Sequence, residues 1–62
     1  MASIKDNTFA AACYDSNSIE EIRAALAQSK ADATDCREWG ITPAEWREQL
    51  QQALEAKLAD AE

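Results

Sequence analysis

The chain has 62 residues, and nearly half of its hydrophobic residues are alanine, so only about a dozen large apolar side chains are available to build one small core. Twelve acidic against six basic residues leave a net charge of −6, which repels phosphate backbones and anionic lipid headgroups and so disfavours nucleic acid and membrane surfaces as partners. Val is absent and Gly and Pro occur once each, a composition that favours helix and starves strands. The expected fold is all-α, a small bundle of three to four short helices forming a single helical domain over residues 1–62.

No apolar run approaches the roughly 20 residues that span a bilayer. At the N-terminus, "MASIKDNTFAAACYDS" sets small residues before Cys13 in the manner of a lipoprotein signal. Lys5, Asp6, Asn7 and Thr8 interrupt the apolar region that such a signal needs, so the chain is expected to be cytoplasmic. A first helix is predicted from about Ile4 to Tyr14, with Ser3 and Asp6 as a weak cap and Phe9/Cys13 and Ala10/Tyr14 as pairs four apart. Asp6, Asn7 and Thr8 are each able to cap a shorter version.

"DSNS", Asp15 to Ser18, is the first break, because small polar side chains compete for backbone hydrogen bonds. A second helix follows, opened by a capping box of Asn17 with Glu20 or of Ser18 with Glu21. Ile19, Ile22, Ala25 and Leu26 give it one apolar face, and it is expected to fade near Ser29 or Lys30. A short third helix, about Ala33 to Trp39, is capped by Asp32 and turns Cys36 and Trp39 inward.

"WGITPAEW", Trp39 to Trp46, predicts a sharp capped corner at Gly40–Thr42. Gly40 suits the left-handed residue after a helix end, with Ile41 touching Cys36. Thr42 is the next N-cap, Pro43 the first helical residue and Glu45 the reciprocal member of a capping box, with Ile41 stapled on Trp46. The last helix is expected from Pro43 to about Ala59. Its apolar stripe is Trp46, Leu50, Ala53, Leu54 and Leu58, and Arg47, Glu48, Gln51, Gln52 and Glu55 lie opposite. Lys57 interrupts the heptad that a long coiled coil would need.

Catalysis finds little support: His is absent, there is no glycine-rich phosphate loop, and two cysteines without a CxxC make no metal site. Carboxylate pairs such as Glu20/Glu21 and Asp32/Asp35 are explained as helix caps. No catalytic residue, cofactor or metal is expected. Cys13 and Cys36 are expected to be reduced, largely buried thiols.

Cys36, Gly40, Ile41, Thr42, Pro43 and Trp46 resemble the helix-turn-helix pattern of DNA-binding proteins, over about a dozen residues. That resemblance implies a DNA-associated regulator with the last helix as its reader. The chain departs from it at Gln49, where a second buried apolar residue is usual, and in the acidic charge of the would-be reader, Glu45, Glu48 and Glu55 against Arg47 and Lys57. The expected function is a non-catalytic intracellular module of bacterial or phage type that binds a protein partner or itself. The alternatives are the DNA-associated regulator and an acidic decoy of a basic partner. Trp39, Trp46, Leu50, Leu54 and Leu58 are the candidate partner-binding residues, because an Ala-rich chain has few large side chains with which to anchor anything.

Overall fold

A computed structural model describes residue 4 and residues 7–61 of the chain. Four helices carry it, α1 (Phe9–Ser16), α2 (Ile19–Leu26), α3 (Ala33–Trp39) and α4 (Pro43–Asp60), with no strand among the described residues. The protein is therefore a small all-α bundle.

The first helix starts later than predicted. Ile4 is not helical, Asn7 holds a left-handed φ of 63°, and the Thr8 side chain accepts from the Ala11 N–H at 3.3 Å as the N-cap. A right-handed helix does not continue through a left-handed residue, so α1 begins at Phe9. The suggested Ser3/Asp6 cap lies outside the described residues. At the other end, Asp15 and Ser16 are taken into the last turn, and the chain leaves the helix at Asn17, whose N–H donates to the Cys13 carbonyl at 2.9 Å.

Of the two boxes available to α2, Ser18/Glu21 forms. The Ser18 N–H donates to Glu21 Oε1 at 2.8 Å and the Glu21 N–H to Ser18 Oγ at 3.2 Å. The helix ends at Leu26, short of Ser29, because the chain tightens there: the Gln28 N–H donates to the Ala25 carbonyl at 3.1 Å, a three-residue step that closes the last turn.

The third helix and the corner follow the predicted chemistry. Asp32 Oδ1 accepts from the N–H groups of Thr34 and Asp35 at 2.9 and 3.1 Å. Gly40 is left-handed at φ 61°, and its N–H and that of Ile41 both donate to the Cys36 carbonyl, the latter at 3.0 Å. Thr42 and Glu45 close a complete capping box ahead of Pro43. Thr42→Ala should cost about 0.5–2 kcal/mol through the lost cap. A Cβ on Gly40 would meet nothing within 4 Å, so Gly40→Val tests backbone strain alone, about 1–2 kcal/mol or more for a β-branched residue. Urea denaturation reads both, and unmoved midpoints would refute the corner as two helix boundaries.

α1 and α2 pack along α4, and α3 meets it more slightly. The core joins Phe9 and Cys13 of α1, Ile22 of α2, and Trp46, Leu50, Ala53 and Leu54 of α4. Ala10 and Ala56 are buried as well, small residues that let helices approach closely. The Cα radius of gyration of 10.8 Å is what a compact chain of this length should have, about 10.6 Å. Two inward assignments are corrected. α3 has no fully buried residue: Cys36 does pack against the core but is only half-buried, and Trp39 is exposed at the last turn. Leu58 is exposed near the end of α4, and Ala56 is buried in the helix where the predicted stripe did not place it.

Candidate functional site

The five candidate partner-binding residues divide into two groups. Trp46 and Leu50 are each 1% exposed and Leu54 is 8% exposed, all within the core of the protein itself, whereas Trp39 is 39% and Leu58 40% exposed. Only the last two are accessible to another molecule while the bundle is intact. Trp46, Leu50, Ala53 and Leu54 of the α4 stripe are already buried within the chain itself, so the thermal midpoint is expected to stay constant over about a hundredfold dilution. A midpoint that rises with concentration would show self-association by mass action.

Around Trp39 the aromatic rings form a row. Phe9 stands between the two indoles, 5.9 Å from Trp39 in a tilted contact and 6.4 Å from Trp46 in a stacked one. Asp35 and Trp39 are four apart in α3 and share one helix face. Asp35 Oδ2 accepts from Trp46 Nε1–H at 3.2 Å, so this face is pinned to the core by a hydrogen bond at one turn and a ring contact at the next.

Beside this row lies a cleft of about 210 Å³. It is lined by Phe9, Ala12 and Cys13 of α1, Ala25 of α2, Asp35 of α3 and Trp46 and Leu50 of α4. Burial, with a smaller contribution from the Asp35 charge, pushes the Cys13 thiol from its ordinary 9.0 up to about 11. Both cysteines are free thiols. Because the folded-state value is raised, the native protein keeps a proton that the unfolded chain releases. Stability should therefore hold below pH 9 and fall between about pH 9 and pH 11. Cys13→Ala should flatten that decline in urea midpoints measured across this range, and an unchanged slope would refute the assignment.

Polar side chains of α4 hold the ends of the other helices. Gln49 Oε1 accepts from the Ala10 N–H at 3.1 Å, satisfying a donor in the first turn of α1. Arg47 donates to the carbonyls of Leu26 at 3.2 Å and Gln28 at 2.6 Å, where α2 runs out, and its guanidinium lies 5.8 Å from the Trp46 ring centroid. Sequence reasoning placed Arg47 on the solvent face and counted Gln49 only as a departure from a motif. A signal for both is their spacing: Gln49 is four and seven residues from buried Ala53 and Ala56, and Arg47 is three and seven from buried Leu50 and Leu54.

A second, shallower hollow of about 480 Å³ lies where the ends of α1 and α4 meet the start of α2. Tyr14 donates its hydroxyl to Asp60 Oδ2, and Lys57 Nζ sits 4.8 Å over the Tyr14 ring. The hydrogen bond to Asp60 is the main cause of a raised Tyr14 pKa. Lys57, which breaks the heptad, thus holds its ammonium over an aromatic face.

Of the carboxylate pairs Glu20/Glu21 and Asp32/Asp35, three members, Glu21, Asp32 and Asp35, accept hydrogen bonds within the fold, as does Glu45. Glu21, Asp32 and Glu45 accept backbone N–H groups at helix starts, and Asp35 accepts the Trp46 indole N–H. Among the described residues no group of three or more His, Cys, Asp or Glu side chains is arranged to hold a metal ion, and no helix is long and apolar enough to cross a membrane. No protein-family model matches the chain, nor does any curated protein or solved structure.

Proposed function

We propose that this chain is a non-catalytic protein-interaction module whose anchor is Trp39. The observation that carries this proposal is the contrast between its two indoles: Trp46 is buried and hydrogen-bonded, whereas Trp39 stands exposed beside Phe9 on a helix with no fully buried residue. An indole held on a capped, short helix offers large apolar area at little entropic cost, which is the property of a binding hot spot.

The helix-turn-helix resemblance is weaker as a guide to function. α4, the would-be reader, exposes Glu45, Glu48, Gln51, Gln52 and Glu55. Its two cations are occupied, Arg47 on the α2 carbonyls and Lys57 on the Tyr14 ring. DNA affinity rests on cations free to neutralise phosphates, and this helix has none to spare.

The test is capture from cell extract on the immobilised full chain, with wild type and Trp39→Ala side by side and far-UV dichroism confirming that both are folded. A protein held by wild type is purified and titrated against each. Its affinity is expected to fall by at least about tenfold, 1.4 kcal/mol, with Trp39→Ala. Equal affinity for the two would overturn the proposal. So would a gel shift of mixed-sequence DNA that weakens steeply with salt.

A further inference from the structure

We infer that the cleft beside Trp39 is a subsite for an arginine side chain presented by a basic partner protein. This rests on the interaction reading above and specifies the partner's chemistry. Three observations converge on it. The cleft's single charged lining residue is Asp35, and its other walls are apolar or neutral, including Phe9, Ala12 and Ala25. Asp35 shares a helix face with the exposed Trp39, whose ring packs on Phe9, itself a wall of the cleft. The chain as a whole carries −6, which draws a basic surface toward it.

Arginine fits this set better than any other side chain. Its planar guanidinium donates to a carboxylate and stacks on an aromatic ring at the same time, and its three-carbon stem lies comfortably on apolar walls. The Asp35 carboxylate spends Oδ2 on the Trp46 indole, and its two oxygens together offer about four acceptor sites, so capacity remains for a guanidinium. The fold already shows the pairing in miniature, with Arg47 against Trp46. Size agrees too. At about 210 Å³ the cleft is smaller than the roughly 300–1,000 Å³ of small-molecule sites and suits a single side chain.

Acetyl-arginine amide and acetyl-citrulline amide, which differ in charge at nearly equal shape, are titrated into the isotope-labelled full chain and followed by amide and indole resonances. Saturable shifts are expected with arginine amide, confined to Asp35, Trp39, Asn17, Cys13 and the two indole N–H signals. Citrulline amide should bind at least about tenfold more weakly. Asp35→Asn and Trp39→Ala should each lower arginine affinity by a similar factor. Should Asp35→Asn fail to fold, Ala12→Leu, which fills the cleft from α1, serves in its place. Equal binding of the two amides, or non-saturating shifts spread over every surface carboxylate, would overturn the subsite. The two proposals fail separately. A captured protein that depends on Trp39 yet stays bound in about 1 M salt, where the Debye length is about 3 Å, together with no arginine-specific shift, would leave the interaction module standing and remove the arginine subsite.

Discussion

Trp46→Ala is expected to leave the protein largely unfolded at room temperature. The indole is among the largest fully buried side chains, packed on Phe9, under the Arg47 guanidinium and hydrogen-bonded to Asp35. Replacing a buried aromatic by alanine costs about 3–5 kcal/mol. At about 0.05–0.15 kcal/mol per residue, a chain of 62 residues holds only about 3–9 kcal/mol in total, so this one truncation removes about half of it or more. The loss also reaches α3, which has no fully buried residue and is seated by the Asp35 hydrogen bond, the Trp39–Phe9 contact and half-buried Cys36. Trp46→Phe separates the contributions: it keeps most of the packing and removes the Asp35 bond, so it should cost about 1–2 kcal/mol. Far-UV dichroism against urea reads both. A smaller effect from Trp46→Ala than from Trp39→Ala would reverse the assignment of buried and exposed indoles.

The contrast between those two indoles marks where sequence stops being informative. Helix boundaries set by residues within four positions were legible: Asp32 before α3, Gly40 after it and the Thr42/Glu45 box before α4 all occupy the predicted roles. Each depends on local backbone chemistry that no distant residue overrides. The choice between Trp39 and Trp46 is tertiary. It is decided by α1, because Phe9 lies between the rings and α4 carries Trp46 into the core while α3 meets it only at the edge. The start of α1 was misplaced for a related reason. Asp6, Asn7 and Thr8 were all plausible caps by composition, and the left-handed Asn7 selects Thr8. Binary patterning also missed the polar residues that face inward. Arg47, Gln49 and Lys57 lie at or beside the buried stripe, where each meets a partner contributed by another helix or by the segment that follows it. The Asp35/Trp39 pair was visible as a spacing, but its position beside a cleft was not, since the cleft exists only once α1, α2 and α3 are assembled around α4.

The second large effect is expected at Arg47. Substituting it by alanine should cost about 2–3 kcal/mol, because hydrogen bonds from a charged donor contribute about 1.5–3 kcal/mol each and the outer one, to Gln28, is weakened by solvent. The carbonyls it serves are those a helix end leaves without intrahelical donors, and the positive charge also complements the negative end of the α2 dipole. Arg47→Lys isolates geometry from charge. An ammonium retains the dipole interaction but cannot spread two nitrogens across the Leu26 and Gln28 carbonyls with the rigid fork of a guanidinium, so it should recover only part of the loss. Hydrogen exchange gives the discriminating measurement. With Arg47→Ala, protection should fall first at the amides of the last turn of α2, while those of α3 and its capped corner change no more than global stability requires. A loss confined to α4 itself would mean that Arg47 acts through its contact with Trp46 and not as the clamp on α2. If the clamp holds as described, α4 fastens its neighbours by their ends as well as by its apolar stripe. A chain with so few large side chains can then keep α1 and α2 in place while leaving Trp39 outside the core, open to a partner.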